Sequence, residues 1–121
     1  MSFDENLYAW VQEALEPLGS VTMRRMMGGA MLYLDGTVFG ILDEGEVWFK
    51  SDAESDAAWD AAGAERFTYS MGDGRTGSMN YRRAPADVYD DPDVMRLWAR
   101  LGLEAGVRGA AKKKSPRKKK A

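Results

Sequence analysis

An Asp-Gly pair between two apolar runs constrains the fold of this 121-residue chain more than any other feature. Asp35 and Gly36 separate residues 31–34 from residues 37–42, and both runs are dominated by large apolar side chains. A two-residue turn of type I′ needs positive φ at both central positions, which Asp and Gly adopt readily. The pattern therefore predicts an antiparallel hairpin. A third strand, Glu46–Lys50, follows a short acidic loop and extends the sheet.

Three further segments have the apolar spacing of helices. Residues 2–19 repeat apolar side chains at helical intervals and begin with a capping-box pattern at Ser2. Residues 52–62 are rich in Ala and follow a second capping-box pattern at Ser51. The last helix is predicted to begin at Pro92, after an Asp N-cap, because proline suits the first helical position.

Two more strands are predicted after the second helix, over residues 67–69 and 76–82, joined by a Gly-Asp-Gly turn. Residues 23–27 form an extended lead-in to the first hairpin. The elements then follow in the order α-β-β-β-α-β-β-α, which predicts the α+β class. We expect a two-layer fold in which a mainly antiparallel five-stranded sheet carries its helices on one face.

The absence of histidine and cysteine limits the chemistry open to this chain. It removes Ser-His-Asp and Cys-His catalytic arrangements, thiolate metal sites and disulfides. The Gly28-Gly29 pair precedes a strand, whereas a dinucleotide-binding loop follows a strand and opens a helix. We expect these glycines to provide positive φ or a bulge at the strand entrance. We therefore predict a non-enzymatic protein with no catalytic residues, no cofactor and no metal site.

Hydropathy predicts a cytoplasmic protein with no membrane contact. No apolar run approaches the ~20 residues of a membrane span, and the N-terminus lacks the basic-then-apolar pattern of a signal peptide. The lack of cysteine agrees with a reducing compartment.

The charge of the chain is divided sharply between a body and a tail. Residues 1–111 carry ten Lys and Arg against 19 Asp and Glu, a net charge of −9, whereas the last ten residues carry +7. We predict a domain over residues 1–108 followed by a disordered Lys-rich tail over residues 109–121. Such a tail is either a nonspecific nucleic-acid contact or a solvated end with no specific partner. Its cationic residues are Lys112, Lys113, Lys114, Arg117, Lys118, Lys119 and Lys120.

Two adjacent arginine pairs form a candidate anion-binding or partner-binding site. Arg24 and Arg25 precede the first hairpin, and Arg82 and Arg83 end a predicted strand. Guanidinium groups bind phosphate and carboxylate with two parallel hydrogen bonds, so two converging pairs would suit an anionic ligand. The alternative is that each pair forms ion pairs with Asp or Glu of the acidic body.

Strand alternation sends several large side chains away from the predicted helices. If Val47 and Phe49 face the helices, Trp48 faces the opposite side of the sheet, and the same rule separates Tyr33 from its neighbours. A sheet face that carries Tyr33 and Trp48 is a candidate interface for a homodimer or a partner protein. The alternative is coverage by another part of the same chain.

Four stretches follow one another in an order that is specific to a known family. They are MMGGAMLYLDGTVFGIL, EVWFKSD, AAGAERFTYS and GRTGSMNYRRAPADVYDDPDVMRLWARLGLEA. Together they resemble the N-terminal domain of the TfoX/Sxy family of competence-gene regulators, from about residue 24 to residue 105. The resemblance implies an α+β fold and a role as a transcriptional co-activator, proposed for family members together with the cyclic-AMP receptor protein. Better-known members carry a second, helical domain, whereas this sequence continues into its Lys-rich tail.

Composition and resemblance together predict a small non-enzymatic regulatory domain that acts in transcription regulation. We expect it to contact a protein partner, such as a transcription factor, and to touch DNA nonspecifically through the tail. One alternative is a homo-oligomerising interaction module with no nucleic-acid role. Another is a sensor of a small anionic ligand that uses the four arginines.

Overall fold

The computed structural model describes residues 4–26, 29–70 and 72–119, with side chains described through Ala111. It confirms the predicted α+β class, the antiparallel sheet and the order of the helices. The sheet has six strands instead of five, because Val21–Met26 pairs with the first hairpin as an edge strand. The elements are α1 (Glu5–Leu15), β1 (Val21–Met26), β2 (Gly29–Leu34), β3 (Thr37–Asp43), β4 (Glu46–Lys50), α2 (Asp56–Ala61), β5 (Arg66–Ser70), β6 (Thr76–Arg83), a short 3₁₀ helix (Ala86–Tyr89) and α3 (Pro92–Lys119).

All neighbouring strands of the sheet are antiparallel, in the order β1-β2-β3-β4-β6-β5. The β2–β3 hairpin turns at Asp35 and Gly36, whose φ angles are 49° and 89°. The predicted tight turn with positive φ at both positions is therefore confirmed. Because β6 pairs with β4, the β5–β6 hairpin lies at one edge of the sheet and β1 at the other.

The caps of the first two helices differ from the predicted ones. The N-cap of α1 is Asp4, whose Oδ1 accepts a hydrogen bond from a first-turn N–H at 3.0 Å. The predicted cap at Ser2 lies outside the described residues. Helix α2 starts later than predicted, because the N–H groups of Asp52 and Ser55 each donate to the other's side-chain oxygen at 3.1 Å and close a turn first. The capping-box prediction at Ser51 is therefore wrong, and Ser51 is buried just after β4.

The main core lies between the helices and one face of the sheet. Val47 and Phe49 of β4 are fully buried in it, as the alternation predicts. The Phe49 ring stacks on Trp59 of α2 with 5.9 Å between centroids, and Trp59 packs against Trp98 of α3 at 4.8 Å. Aromatic packing thus joins the sheet, α2 and α3.

Helix α3 begins where the sequence predicts and continues further. Asp91 Oδ1 accepts a hydrogen bond from a first-turn N–H at 3.0 Å and caps the helix ahead of Pro92. The backbone is helical through Lys119, into the segment for which the sequence predicts an irregular tail. The boundary between a domain over residues 1–108 and a tail over residues 109–121 stays a prediction, because the tail's side chains lie outside the described part. Among the described residues no helix, α3 included, is both long and apolar enough to cross a membrane.

Two glycines bring α3 close to strand β3. A Cβ at Gly102 would lie 2.6 Å from the Phe39 carbonyl oxygen, and a Cβ at Gly106 would collide with the Val38 carbonyl oxygen. Residues four apart lie on the same helical face. Helix α3 therefore packs backbone against backbone along β3.

A bidentate ion pair fastens α3 to the loop before α2. The Arg108 Nε and Nη2 atoms lie 2.7 and 2.8 Å from the two carboxylate oxygens of Asp52. The hydrogen bonds from Arg108 lower the pKa of Asp52 to about 2. The pair therefore favours the folded state while the Asp52 carboxyl is ionised.

Replacing Asp52 by asparagine is expected to lower the free energy of unfolding at pH 7 by about 1 kcal/mol, because solvent screens this partly exposed pair. The folded-state pKa is depressed, so the stabilisation is present above the ordinary pKa of 3.8 and is lost as the pH falls to about 2. Urea unfolding measured between pH 7 and about pH 2 should show that the difference in the free energy of unfolding between wild type and Asp52→Asn shrinks as the pH falls. The control is Glu54→Gln, which removes a 3.5 Å contact with Arg108 and should cost less; a pH-independent difference for Asp52→Asn would contradict this account.

Candidate functional site

The sheet face turned away from the helices, which we call the open face, carries one continuous row of side chains across five strands. Directly paired residues of neighbouring strands have their side chains on the same face. Ile41 and Trp48 belong to a second apolar cluster, separate from the main core, so the predicted position of Trp48 opposite the helices is confirmed. The register partners in the row, from β1 to β6, are Arg24, Met31, Ile41, Trp48 and Arg83.

The open face is concave because β5 and β6 curl over it. The Tyr81 hydroxyl of β6 donates a hydrogen bond to Met31 Sδ of β2 at 3.6 Å, although β3 and β4 lie between these strands. The ring of Phe67 in β5 meets Trp48 edge to face at 4.9 Å. Trp48 is therefore only 8% exposed. The expectation that it presents an uncovered interface is corrected, since the chain's own β5–β6 hairpin covers it.

Tyr33 lies on β2 outside this covered cluster. It is half-buried and lines a cavity of about 420 Å³ together with Lys50 and the part of α3 around Gly106. A homodimer that uses Tyr33 stays a prediction.

An apolar pocket of about 470 Å³, which we call the open-face pocket, lies between the curled hairpin and the ends of β1, β2 and β3. Four strands contribute apolar side chains to its wall: Met26, Ile41, Phe67 and Met79. Two large wall residues stay partly exposed, Met26 at 37% and Tyr69 at 43%. Exposed apolar side chains around a concave site are typical of a binding surface.

Two glycines let the strands around the open-face pocket approach closely. A Cβ at Gly29 would collide with the Leu42 carbonyl oxygen, so β2 and β3 meet backbone to backbone at the wall. A Cβ at Gly77 would lie 2.5 Å from the Tyr69 ring, which rests on this glycine. Gly29 has no positive φ and pairs in regular register, so close approach replaces the predicted role in a turn or bulge. Gly28 lies outside the described residues.

Asp43, at the end of β3, gives the open-face pocket an acidic end. Burial raises the pKa of its carboxyl, and the neighbouring carboxylates of Glu44 and Glu46 raise it further. The Asp4 carboxylate approaches the same turn, 4.0 Å from the position of a Cβ at Gly45. Within the described ranges, no group of acidic side chains is arranged to hold a metal ion. The pocket thus combines an apolar wall with a local negative charge.

The structure keeps the two predicted arginine pairs apart. Arg24 and Arg25 lie on β1, and Arg82 and Arg83 lie on β6, with β2, β3 and β4 between them. Arg24 and Arg83 stand at opposite ends of the open-face row. These side chains do not converge on one place, and an anion-sensing role stays a prediction.

Both arginines on β6 bind carboxylates of the body, which was the alternative for this pair. Arg82 is 3% exposed and donates to the carboxylates of Asp56 and Asp60 at 3.1 and 2.9 Å. Arg83 forms ion pairs with two glutamates, and its guanidinium lies over the Trp48 ring, 4.9 Å from the centroid. Arg82 therefore joins α2 to β6.

The predicted nucleic-acid residues of the tail, 112–120, lie beyond the described side chains. The helical backbone of α3 continues through this segment to Lys119. Their contact with nucleic acid stays a prediction.

Sequence reasoning missed the open-face pocket because its wall comes from strands that are distant along the chain. One signal was present in the sequence: Gly77, Met79 and Tyr81 alternate with polar residues in β6. A period of two marks one face of a strand for contact with other apolar groups. The pattern does not identify the strands that this face meets.

The family model of the TfoX N-terminal domain matches residues 13–106. The matched range runs from within α1, through all six strands, to the turns of α3 that pack on β3. It therefore includes every strand around the open-face pocket. No curated protein matches the chain. Because the family match covers well over half of its length, the chain belongs to the TfoX N-terminal domain family.

Proposed function

We propose that this domain acts in transcription regulation without catalysis, by binding a protein partner at the open-face pocket and touching DNA through its basic C-terminal segment. Its family and fold are those of a small regulatory-type module. The observation that carries the proposal is the open-face pocket, whose apolar wall stays partly exposed at Met26 and Tyr69.

Burial of this wall supplies a driving force for association. Apolar surface removed from water is worth about 25 cal/mol per Å², or ~1.5–3 kcal/mol for one large side chain. A pocket of about 470 Å³ has room for a partner side chain to be fully desolvated. Such central, water-excluded anchors carry most of the binding energy of protein interfaces.

The polar groups of the open-face pocket support binding rather than catalysis. The polar residues that line it are Asp43, Thr68 and Ser70. A hydroxyl nucleophile needs an adjacent base to activate it. In the described part of the chain, neither hydroxyl is hydrogen-bonded to a carboxylate, and the sequence contains no histidine.

The basic C-terminal segment supports a second, electrostatic contact. It holds seven Lys and Arg in ten residues. Its helical backbone continues from the turn that Arg108 ties to Asp52. Phosphate contacts supply affinity but no sequence information. Selectivity for a particular promoter would then come from the partner.

The Met26→Glu variant is expected to lose the partner. A carboxylate at this wall position would have to be desolvated in the interface, which costs more than the methionine contact contributes. The measurement is affinity capture from native lysate with the full chain, followed by mass spectrometry. We expect wild type to capture a transcription regulator and the variant to retain roughly a tenth of it, the factor that ~1.4 kcal/mol produces.

The matched control is Leu97→Glu, because Leu97 is 60% exposed on α3 and lies outside the open-face pocket. This variant should capture the same regulator as wild type. If Met26→Glu and Leu97→Glu lost the captured regulator to the same extent, a contact at the pocket would be contradicted. Capture of copies of this chain alone would favour the homo-oligomerising module instead.

Binding of the full chain to DNA is expected to fall steeply with salt. Each phosphate contact by Lys or Arg contributes about −0.9 to the slope of log K against log[salt], so six or seven contacts give roughly −5 to −6. A truncation ending at Gly109 should show a slope near zero. Fluorescence anisotropy with a labelled duplex over about 50–200 mM salt measures both slopes. Identical slopes for the two proteins would show that the tail is not the DNA contact.

A further inference from the structure

We infer that the open-face pocket receives a partner segment in which a large apolar side chain stands next to a lysine or arginine. The inference rests on the proposed function, since it names the chemistry of the partner at the same pocket. It is carried by the apolar wall and the acidic end of the pocket, which lie side by side on strands β1, β3, β5 and β6.

The size of the pocket fits a large side chain together with its neighbours. Its volume of about 470 Å³ lies within the ~300–1,000 Å³ of typical ligand pockets. A single small aliphatic side chain would leave most of this space empty.

The wall is adaptable rather than shaped for one rigid ligand. Met26 of β1 and Met79 of β6 contribute unbranched thioether side chains to the wall. Methionine fits irregular apolar partners and is common at surfaces that bind different sequences. The Phe67 ring, held by Trp48, gives the wall one fixed aromatic surface.

The charge at the end of the pocket selects a cationic flank. The carboxyl of Asp43 lines the pocket, and Glu44 follows it in the β3–β4 turn. Asp4, the cap of α1, lies against the same turn. An acidic flank on the partner would be repelled by these groups, whereas a lysine or arginine would be attracted.

The arginines of the open face do not cancel this charge. Arg83 is engaged by Glu46 at 2.8 Å and by Glu65 at 2.6 Å. Arg24 lies at the β1 end of the open-face row, two residues before Met26. Burial, Glu44 and Glu46 are the causes of the raised pKa of the Asp43 carboxyl, and neither of these two arginines is among them.

The test is selection of a random dodecapeptide library, displayed on phage, against the immobilised full chain. The library is first depleted on a Met26→Trp variant, in which a wall residue that is 37% exposed is enlarged to fill the pocket. Depletion removes peptides that bind elsewhere, including acidic peptides that bind the basic tail. We expect the remaining sequences to share a large apolar residue next to lysine or arginine.

The charge contribution is measured with two variants and a control. Selected peptides should bind Asp43→Asn about tenfold more weakly than wild type, measured by fluorescence anisotropy. Glu44→Gln, in the exposed turn, should also weaken peptide binding. It tests the same charge contribution even if Asp43→Asn does not fold. The control is Asp87→Asn, an exposed acid on the 3₁₀ helix outside the pocket, which should leave affinity unchanged.

The outcomes separate this inference from the proposed function. The inference of a cationic flank would be overturned if the pocket-dependent peptides had acidic or uncharged flanks. It would also be overturned if the peptides bound wild type and both charge variants with equal affinity. Either result would leave the pocket as a protein-binding site. Recovery of no peptide that distinguishes wild type from Met26→Trp would overturn the pocket contact itself, and with it both proposals.

Discussion

Replacing Gly106 by valine is expected to lower the free energy of unfolding by about 3 kcal/mol, the upper end of the usual cost of overpacking. The added Cβ would collide with the Val38 carbonyl oxygen. A backbone atom of a central strand cannot rotate away as a flexible side chain does, so α3 must shift off the sheet. Urea unfolding at 25 °C, followed by circular dichroism, measures the loss.

Gly109→Ala is the matched control for this prediction. A Cβ at Gly109 would meet only the Lys50 Cε, at an ordinary 3.6 Å. Alanine also favours the helix over glycine by about 1 kcal/mol, so the control is expected to stabilise the protein. A Gly106→Val variant as stable as wild type would show that α3 does not pack backbone to backbone on β3.

The close contact of α3 with β3 links the domain to its basic segment. Gly102 and Gly106 hold the middle of the helix on the sheet, and Arg108 holds the next turn. The residues that follow continue in the same helix through Lys119. The cationic segment therefore starts from a fixed point on the domain.

Strand β4 shows how far local pattern predicts this fold. Its bounds, Glu46–Lys50, match the predicted strand, and it buries Val47 and Phe49 against the helices while Trp48 faces the other side. A period of two is a local property of extended chain, so neighbouring residues are sufficient to predict it. The positive φ of Asp35 is local in the same sense.

The open-face pocket depends on contacts that local pattern does not contain. Arg24 and Arg25 are among the exposed residues of β1, so this edge strand lacks the alternation of a half-buried one. The curl of the sheet depends on contacts such as Tyr81 with Met31, which are 50 residues apart. The acidic loop around Asp43 is visible in the sequence, but its position beside an apolar wall follows only from this curl.

Replacing Trp59 by alanine is expected to lower the free energy of unfolding by about 3–5 kcal/mol. Trp59 is fully buried, and its ring lies between those of Phe49 and Trp98. Helix α2 has 6 residues, too few to stay helical without tertiary packing. Urea unfolding gives the global loss, and amide hydrogen exchange should show lower protection in α2.

The Trp59→Phe variant separates the packing of the ring from the indole N–H. Among the described residues, this buried N–H has no hydrogen-bond partner, so its removal breaks no hydrogen bond. Phenylalanine keeps an aromatic ring in the stack, and we expect less than about half of the loss caused by alanine. Equal losses would mean that the stack with Phe49 and Trp98 does not hold α2.

The destabilisation caused by Trp59→Ala is also expected to affect β6, through Arg82. This buried guanidinium donates to Asp56 and Asp60, and both carboxylates belong to α2. When α2 loosens, Arg82 stays in the core without its partners, and an unpaired buried charge is strongly destabilising. Because β6 also supplies Met79 to the open-face pocket, Trp59→Ala should weaken partner capture while Trp59→Phe retains it. Wild-type exchange protection of the β6 amides in Trp59→Ala would contradict this coupling.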